Sequence, residues 1–489
     1  MTAQTILPAN SVVDSGFNVA NSVRFTSGDY LDHTHGAVTS TRKQTYSVWV
    51  KRGKLSAYGY IIATRNGTDT NRDGIAFSDA DQIDIRYNAG NSSPIRLTTN
   101  RLFRDASAWY HIVVAVDTTQ GTAANRIKLY VNGVQETSFA TSNYMDQNYD
   151  FALNAKTDQT TDIGNDTRSD GAYFDGYLSE FVVLDGSQNA PTDFGEADED
   201  SGIWKPIDPS GLTFGNAGFY MNFQTAAELG TDVSGNSNTF SENGIVAADQ
   251  STDTCTNNFA TLNPLWASLF DNDGLISKGN CKGTFTAANA DRGYLMTTMG
   301  VSAGKWYWEA KVIDKTRMYI GIAKQSVMTV DEPFYDETTY NALAINNAGE
   351  FYGRYTGSAI DQFDTSVSTD NNNILGFALD RDNKALYIHK NGTYINSGDP
   401  TSGASRTGCL IDELAASRDL YIPDNEFIFP FMHDPSTSGQ LDIEYNFGGS
   451  PAFAISSGNA DGNGFGNFEY AVPSGYLALC TKNLGSDGG

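Results

Sequence analysis

Short runs in which apolar and polar side chains alternate recur along this chain, and each run breaks at Gly, Asn or Asp. TYSVWVKRG sets Tyr46, Val48 and Val50 against Ser47, Trp49 and Lys51. WYHIVVAVD puts Tyr110, Ile112, Val114 and Val116 on one face, and NRIKLYVNG opposes Ile127, Leu129 and Val131 to Arg126, Lys128 and Tyr130. A period of two marks a strand with one buried face and one less buried. The pattern returns in the second half, where GKWYWEAKV opposes Trp306, Trp308 and Ala310 to Tyr307, Glu309 and Lys311. ILGFALDRDNKALYIHKNG then reads as a hairpin turning at residues 381–383. NRIKLYVNG and NKALYIHKNG both end at Asn-Gly, which tolerates the positive φ that a reversal needs. Single sheets of this kind leave an apolar face bare, so the expected fold is all-β, with antiparallel sheets stacked in pairs.

At 489 residues the chain exceeds one core, and two large β domains fit as well as three small ones. Its 48 Gly, 25 Tyr and 27 Phe suit strands and turns better than helices. The text divides into an arm over 1–16, a sandwich over 17–240 with a late strand near 218–224, a linker over 241–274, a second sandwich over 275–484 and a tail over 485–489. The linker holds the best helix candidate, opening at Asn263-Pro264. LIDELAAS, 410–417, is the other expected helical turn.

A net charge of −26 argues against nucleic acid and anionic membrane as partners. No Lys/Arg stripe interrupts that surface. Residues 1–17 lack a secretory pattern, and no apolar run of membrane-spanning length occurs, so membrane insertion is not expected. Cys255, Cys281, Cys409 and Cys480 show neither CxxC nor zinc spacing and read as buried free thiols.

YSVWVKRG, WYHIVVAVDTT…NRIKLYVNG and FDGYLSEFVVLDG, in that order, resemble the laminin-G/pentraxin group of concanavalin A-like jelly rolls. GKWYWEAKV, YIGIAK, the 374–392 hairpin, FIFPFMHD and IEYNFG resemble the SPRY (B30.2-like) sandwich. The order of the two, ending in GYLALCTKNL, is similar to virion proteins of marine tailed bacteriophages. The first resemblance implies glycan binding, sometimes through Ca²⁺; the second implies binding of protein surfaces through loops.

Concanavalin A-like glycosidases of the laminarinase kind need Glu-x-Asp-x-x-Glu on a strand, with the working carboxyls about 5 Å apart. The nearest text, Glu196 to Ser201, ends in Ser and lies in an acidic connector, and DIEYNF offers only Asp442 and Glu444. No catalytic residues are therefore assigned, and a non-enzymatic protein is expected. His33 and His35, beside Asp32, have the makings of a weak metal clasp but lack a third nitrogen ligand, and they read as a loop pair. Asp69, Asn71 and Asp73 in NGTDTNRDG could bend oxygens round a hard cation, as could Asp162, Asp166 and Asp170 in TDIGNDTRSDG. Ca²⁺ is the one cofactor these loops suggest; Asn, Asp and Gly also simply favour turns. Tyr58, Tyr60, Tyr144, Tyr149, Tyr352 and Tyr355 are candidates to stack on sugar faces.

The expectation is a virion structural protein of tail-fibre or spike type. It is made in the host cytoplasm and displayed on an appendage or the capsid exterior. Its partners would be other virion proteins and a host-surface glycan or protein, and it would form a homo-oligomer, a trimer by analogy with phage appendages. A capsid-decoration (head-fibre) protein, and a secreted or surface lectin or glycan-active enzyme, are the alternatives.

Overall fold

Strand Lys43–Arg52 pairs with Trp109–Asp117 on one side and Gly176–Asp185 on the other, so Val48 lies opposite Ile112 and Val50 opposite Leu178. It sits inside one of the two compact units of the chain, residues 9–258 and 259–489. The computed structural model describes residues 16–487 apart from 66–71, 88–94, 167–171, 200, 266–274, 287–292, 317, 330–341, 355–359, 415–416 and 435–439. The described architecture is all-β, and no helix among these residues is long and apolar enough to cross a membrane.

The first unit stacks two antiparallel sheets. One runs Val134–Glu136, Ile127–Val131, Trp109–Asp117, Lys43–Arg52, Gly176–Asp185, Ser22–Phe25, Gln250–Ser251, with Phe219–Met221 also paired to Gly176–Asp185. The other runs Phe139–Asn143, Ile95–Thr99, Ile83–Tyr87, Arg72–Phe77, Gly59–Arg65, Thr160–Ile163, Tyr30–Thr34, Ser241–Asn243. The apolar sides named above meet between them: Val48, Val50, Ile112, Val114 and Leu129 share a core with Ile62, Ile75, Ile85 and Leu97. Residues 241–258, read from sequence as the start of a linker, add two strands to this unit. The Asn263-Pro264 segment begins with a turn, in which the Leu265 amide donates to Asn263 Oδ1 at 3.0 Å, and the rest of the expected helix lies outside the described residues. LIDELAAS supplies a 3-10 turn at Leu410–Glu413.

The polar side of Lys43–Arg52 is not half-exposed as its alternation suggests. Trp49 and Lys51 are fully buried, because two later segments cross that side of the sheet. Phe194, Phe214 and Tyr220 pack on Val113, Val182 and Leu184, and Cys255 packs with Trp49, Trp109 and Tyr177. Trp204 Nε1 donates to His111 Nδ1 at 2.9 Å, which leaves Nε2–H to donate to Ser47 Oγ at 2.8 Å. Burial holds His111 neutral, its pKa down at about 3. Glu180 sits at a bulge in Gly176–Asp185 with φ of 46°, and accepts a hydrogen bond from the Tyr220 hydroxyl. Burial raises its carboxyl to about 7.

The second unit repeats the plan. One sheet runs Leu275–Ser277, Lys282–Phe285, Leu441–Asn446, Lys305–Asp314, Ile374–Asp380, Ala385–Lys390, Thr393–Tyr394, with Leu477–Ala478 added in parallel to Lys305–Asp314. The other runs Tyr294–Met296, Ile428–His433, Tyr319–Lys324, Ala342–Asn346, Glu350–Arg354, Ile360–Asp364. Trp308 stacks on Phe377 with centroids 5.3 Å apart, inside a core shared with Ile320, Leu343 and Ile443. Here too the polar side of the central strand is covered, by residues 448–480. Phe468 meets Tyr307 edge-on at 5.1 Å, and the amides of Glu469 and Tyr470 donate to Glu309 at 2.9 and 2.8 Å. Asn446 Nδ2 and the Tyr307 hydroxyl also donate to Glu309, at 3.1 and 3.0 Å. Burial still raises the Glu309 carboxyl. His389 accepts from the Gly392 amide at 3.2 Å and donates through Nε2 to the Tyr307 oxygen at 2.8 Å. Its ring lies on Gly376, where an added Cβ would stand 1.9 Å from Nε2. All four cysteines are free and buried.

Candidate functional site

In the first unit the two outward faces differ. One is roofed by the chain itself, as described. The other, the outer side of the sheet containing Ile83–Tyr87, carries a charged and aromatic cluster. IDIRY points Ile83, Ile85 and Tyr87 into the core, so Asp84 and Arg86 must point out. Register sets Asp84 beside Thr98 and Arg86 beside Arg96 on the neighbouring strand. Asp84 is fully buried and is the hub. It accepts from Arg86 Nε at 2.7 Å, Arg96 Nε at 2.7 Å, Arg96 Nη2 at 3.0 Å, Thr98 Oγ1 at 2.9 Å and the Tyr58 hydroxyl at 2.9 Å. Burial opposes its ionisation, but the Arg96 and Arg86 guanidiniums prevail and hold its pKa below the usual carboxylate value. The side chains of Arg86 and Arg96 keep 27 % and 36 % of their surface in water. Arg86 also lies over the Tyr58 ring, 5.1 Å from its centroid.

Tyr58 is thus the sequence candidate that the fold brings into a site. Tyr60 is not exposed: its ring, 5.3 Å from that of Tyr58, is buried at 1 % over Gly74, Ala63 and Ala76. Those small residues leave a hollow that only a flat ring fills, which is why this tyrosine packs on the sheet. Its hydroxyl has no hydrogen-bond partner among the described residues. Tyr144 and Tyr149 are half-buried against the core, and burial pushes the Tyr149 hydroxyl to about 12. In the second unit Tyr352 donates to Glu350 at 2.6 Å beside Tyr319, and Tyr355 lies outside the described residues.

Of the cation candidates, Asp69, Asn71 and Asp170 lie outside the described residues. Asp73 and Asp162 belong to one sheet but to opposite faces. Asp73 lies opposite Thr64, faces the core and accepts from the Ala152 amide at 2.7 Å. Asp162 is paired with Ala63 and Asp32 and faces outward, while Asp166 is buried in the loop that follows. The fold therefore does not gather Asp73 with Asp162. The His33 and His35 rings meet edge-on at 4.7 Å, and burial, then the neighbouring His33, lowers His35 to about 3. No group of three or more His, Cys, Asp or Glu able to hold a metal ion is found among the described residues.

The missed residues are Asp84, Arg86 and Arg96. Their signal was available: a charged pair at i and i+2 on the polar side of one strand, facing a further arginine in IRLTT.

Residues 25–191 match a laminin G family model described as Concanavalin A-like lectin/glucanases superfamily, so this stretch is a concanavalin A-like domain. Among solved structures the chain is similar to the SPRY domain of human HERC1, at 17 % identity over 35 % of this chain and 91 % of that one, with a TM-score of 0.24. It is similar to domains LG4-5 of the mouse laminin alpha1 chain, at 9 % identity over 94 % and 99 %, with a TM-score of 0.30. It is also similar to a heptameric SAP-like pentraxin from Limulus polyphemus, at 16 % identity over 35 % and 80 %, with a TM-score of 0.26. Comparison with curated proteins yields no match.

Proposed function

We propose that this chain is a non-enzymatic binding protein of a tailed-phage virion, of fibre or spike type, that holds a carboxylate-bearing host glycan on its Tyr58–Arg86–Arg96 face. The observation that carries the binding reading is the pair of guanidiniums fixed on buried Asp84, on side chains that keep 27 % and 36 % of their surface in water. Planar guanidiniums take carboxylates with two parallel hydrogen bonds, and holding them in place beforehand lowers the entropic cost of binding. The remaining acidic surface works against an anionic ligand, but such charges are screened beyond about 8 Å at physiological ionic strength, whereas these contacts act at about 3 Å. Asp84 itself is a poor proton donor, since two arginines keep it ionised; this favours holding a sugar over cleaving one. The virion reading rests on the order of the two motif sets and their resemblance to phage structural proteins.

A glycan array of uronic, sialic, sulfated and neutral sugars tests the ligand. Binding should concentrate on carboxylate sugars and fall at least tenfold in Arg86→Ala and Arg96→Ala. Equal binding by both variants, or release of reducing ends from any polysaccharide, refutes the site or the non-enzymatic reading respectively. An arm with EDTA tests Ca²⁺ as an added requirement. Antibody labelling of particles tests location: label on tails supports a fibre, label on heads a decoration protein, and label absent from particles a secreted lectin.

A further inference from the structure

Beneath the roofed face of the first unit, the Lys51 side chain is wholly buried, and its Nζ lies 2.7 Å from Asp253 Oδ2 and 2.7 Å from Asn258 Oδ1. The three residues are far apart in sequence and meet because the 252–258 segment crosses the Lys43–Arg52 strand. Trp49, Trp109, Tyr177 and Cys255 wall the place off from water. Trp109 Nε1 donates to Asp253 Oδ1 at 3.0 Å, and the Asp253 amide is tied to Ser251 Oγ at 3.0 Å. Asn258 Nδ2 donates to the Ser107 carbonyl at 2.5 Å, which holds the carboxamide with its oxygen toward the lysine.

From this geometry we infer that the chain joins Lys51 to Asn258 by an internal amide bond, with Asp253 carrying the protons. An ion pair needs only Lys51 and Asp253. A carboxamide at the same distance from the same nitrogen adds an electrophile to a nucleophile and a base. The oxygen contact puts Asn258 Cγ about 3–4 Å from Nζ, near the separation from which bonds form. In the inferred step a proton passes from the Lys51 ammonium to the Asp253 carboxylate along their 2.7 Å hydrogen bond, which frees the amine lone pair. The neutral amine then attacks Cγ of Asn258, and protonated Asp253 donates to Oδ1 as it takes on charge. Collapse breaks the Cγ–Nδ2 bond. Nδ2 leaves as ammonia, takes up the surplus protons as ammonium, and Asp253 returns to carboxylate. One C–N bond forms and one breaks, no electrons change hands, and nothing beyond the three side chains is consumed.

The test is the intact mass of the full-length chain, purified folded and then denatured with reductant, followed by sequencing of its peptides. The expected mass is below that of the sequence by one ammonia, about 17 Da, with a branched peptide joining Lys51 to Asn258. Succinimide formation at an Asn-Gly pair loses the same mass, so the branched peptide decides. Lys51→Arg and Asp253→Asn should each restore the full mass. A wild-type chain of full sequence mass overturns the inference without recourse to any variant. So does a loss of one water with Lys51 joined to Asp253, which would make the aspartate the electrophile.

Discussion

The two units roof the polar side of their central strands in the same way and neutralise what lies beneath by different chemistry. In the first, the covered group is the Lys51 amine, charged until the inferred amide forms, and the roof brings the Asp253 carboxylate to it. In the second, it is the Glu309 carboxylate, and the roof brings two backbone amides, with Asn446 and Tyr307 completing the shell. An ion pair depends on one particular side chain, and loss of that partner strands a buried charge. An amide cradle depends on the path of the backbone and survives most side-chain changes in the roof. The first roof is therefore fragile to point substitution, and the second is fragile to displacement of the segment.

The sharpest way to break this contrast is Lys51→Met. Taking the Lys51 nitrogen away from buried Asp253 should cost the first unit about 4 kcal/mol, read as earlier denaturant unfolding and loss of hydrogen-exchange protection over 250–258. A cost below about 1 kcal/mol would remove the distinction. Next comes Glu309→Ala, which orphans the Glu469 and Tyr470 amides and should cost about 2–4 kcal/mol; Glu309→Gln, which keeps an acceptor oxygen, should cost less than half of that. Equal losses for Ala and Gln would mean that charge, not the amide cradle, matters there. Gly376→Ala drives a methyl into His389 and should cost about 1–3 kcal/mol, with exchange at the Glu469 and Tyr470 amides quickening as Tyr307 shifts.

A further test is a pH dependence. Glu180 has a folded pKa of about 7, above its ordinary 4.5, so the folded state binds its proton more tightly. Its stabilising contribution is complete below pH 4.5 and is lost as pH rises through 7. His111, held at about 3, acts oppositely: its contribution is present above 6.5 and is lost as pH falls toward 3. The melting temperature of Glu180→Gln minus that of wild type should accordingly rise between pH 4.5 and 7. A flat difference would show that Glu180 is ionised throughout.

Alternation along each strand made the core legible, from Val48 and Val50 to Trp306 and Trp308, because the period assigns each side chain a face. It does not say what covers the other face. Lys51 meets Asp253 across 202 positions and Trp109 meets Asp253 across 144, separations that leave no local pattern. The burial of Tyr60 escapes the sequence for the same reason: its ring occupies a hollow made by Gly74 and Ala76 on a separate strand. The acidic loop text around Asp73 concealed that Asp73 already stands in a strand facing inward, while Asp162 faces out. Tyr58 was legible as an aromatic near the surface; its arginine partners needed only the period-two rule applied to IDIRY.

The first sandwich is closed by its own last residues: Gln250–Ser251 complete one sheet edge beside Ser22–Val23, and Asp253 and Asn258 reach Lys51. During synthesis, some two hundred residues emerge from the ribosome before the partners of that early lysine exist. Until then an edge strand and a lone cation wait uncovered, and the nascent chain depends on dilution or chaperones to escape pairing with its neighbours.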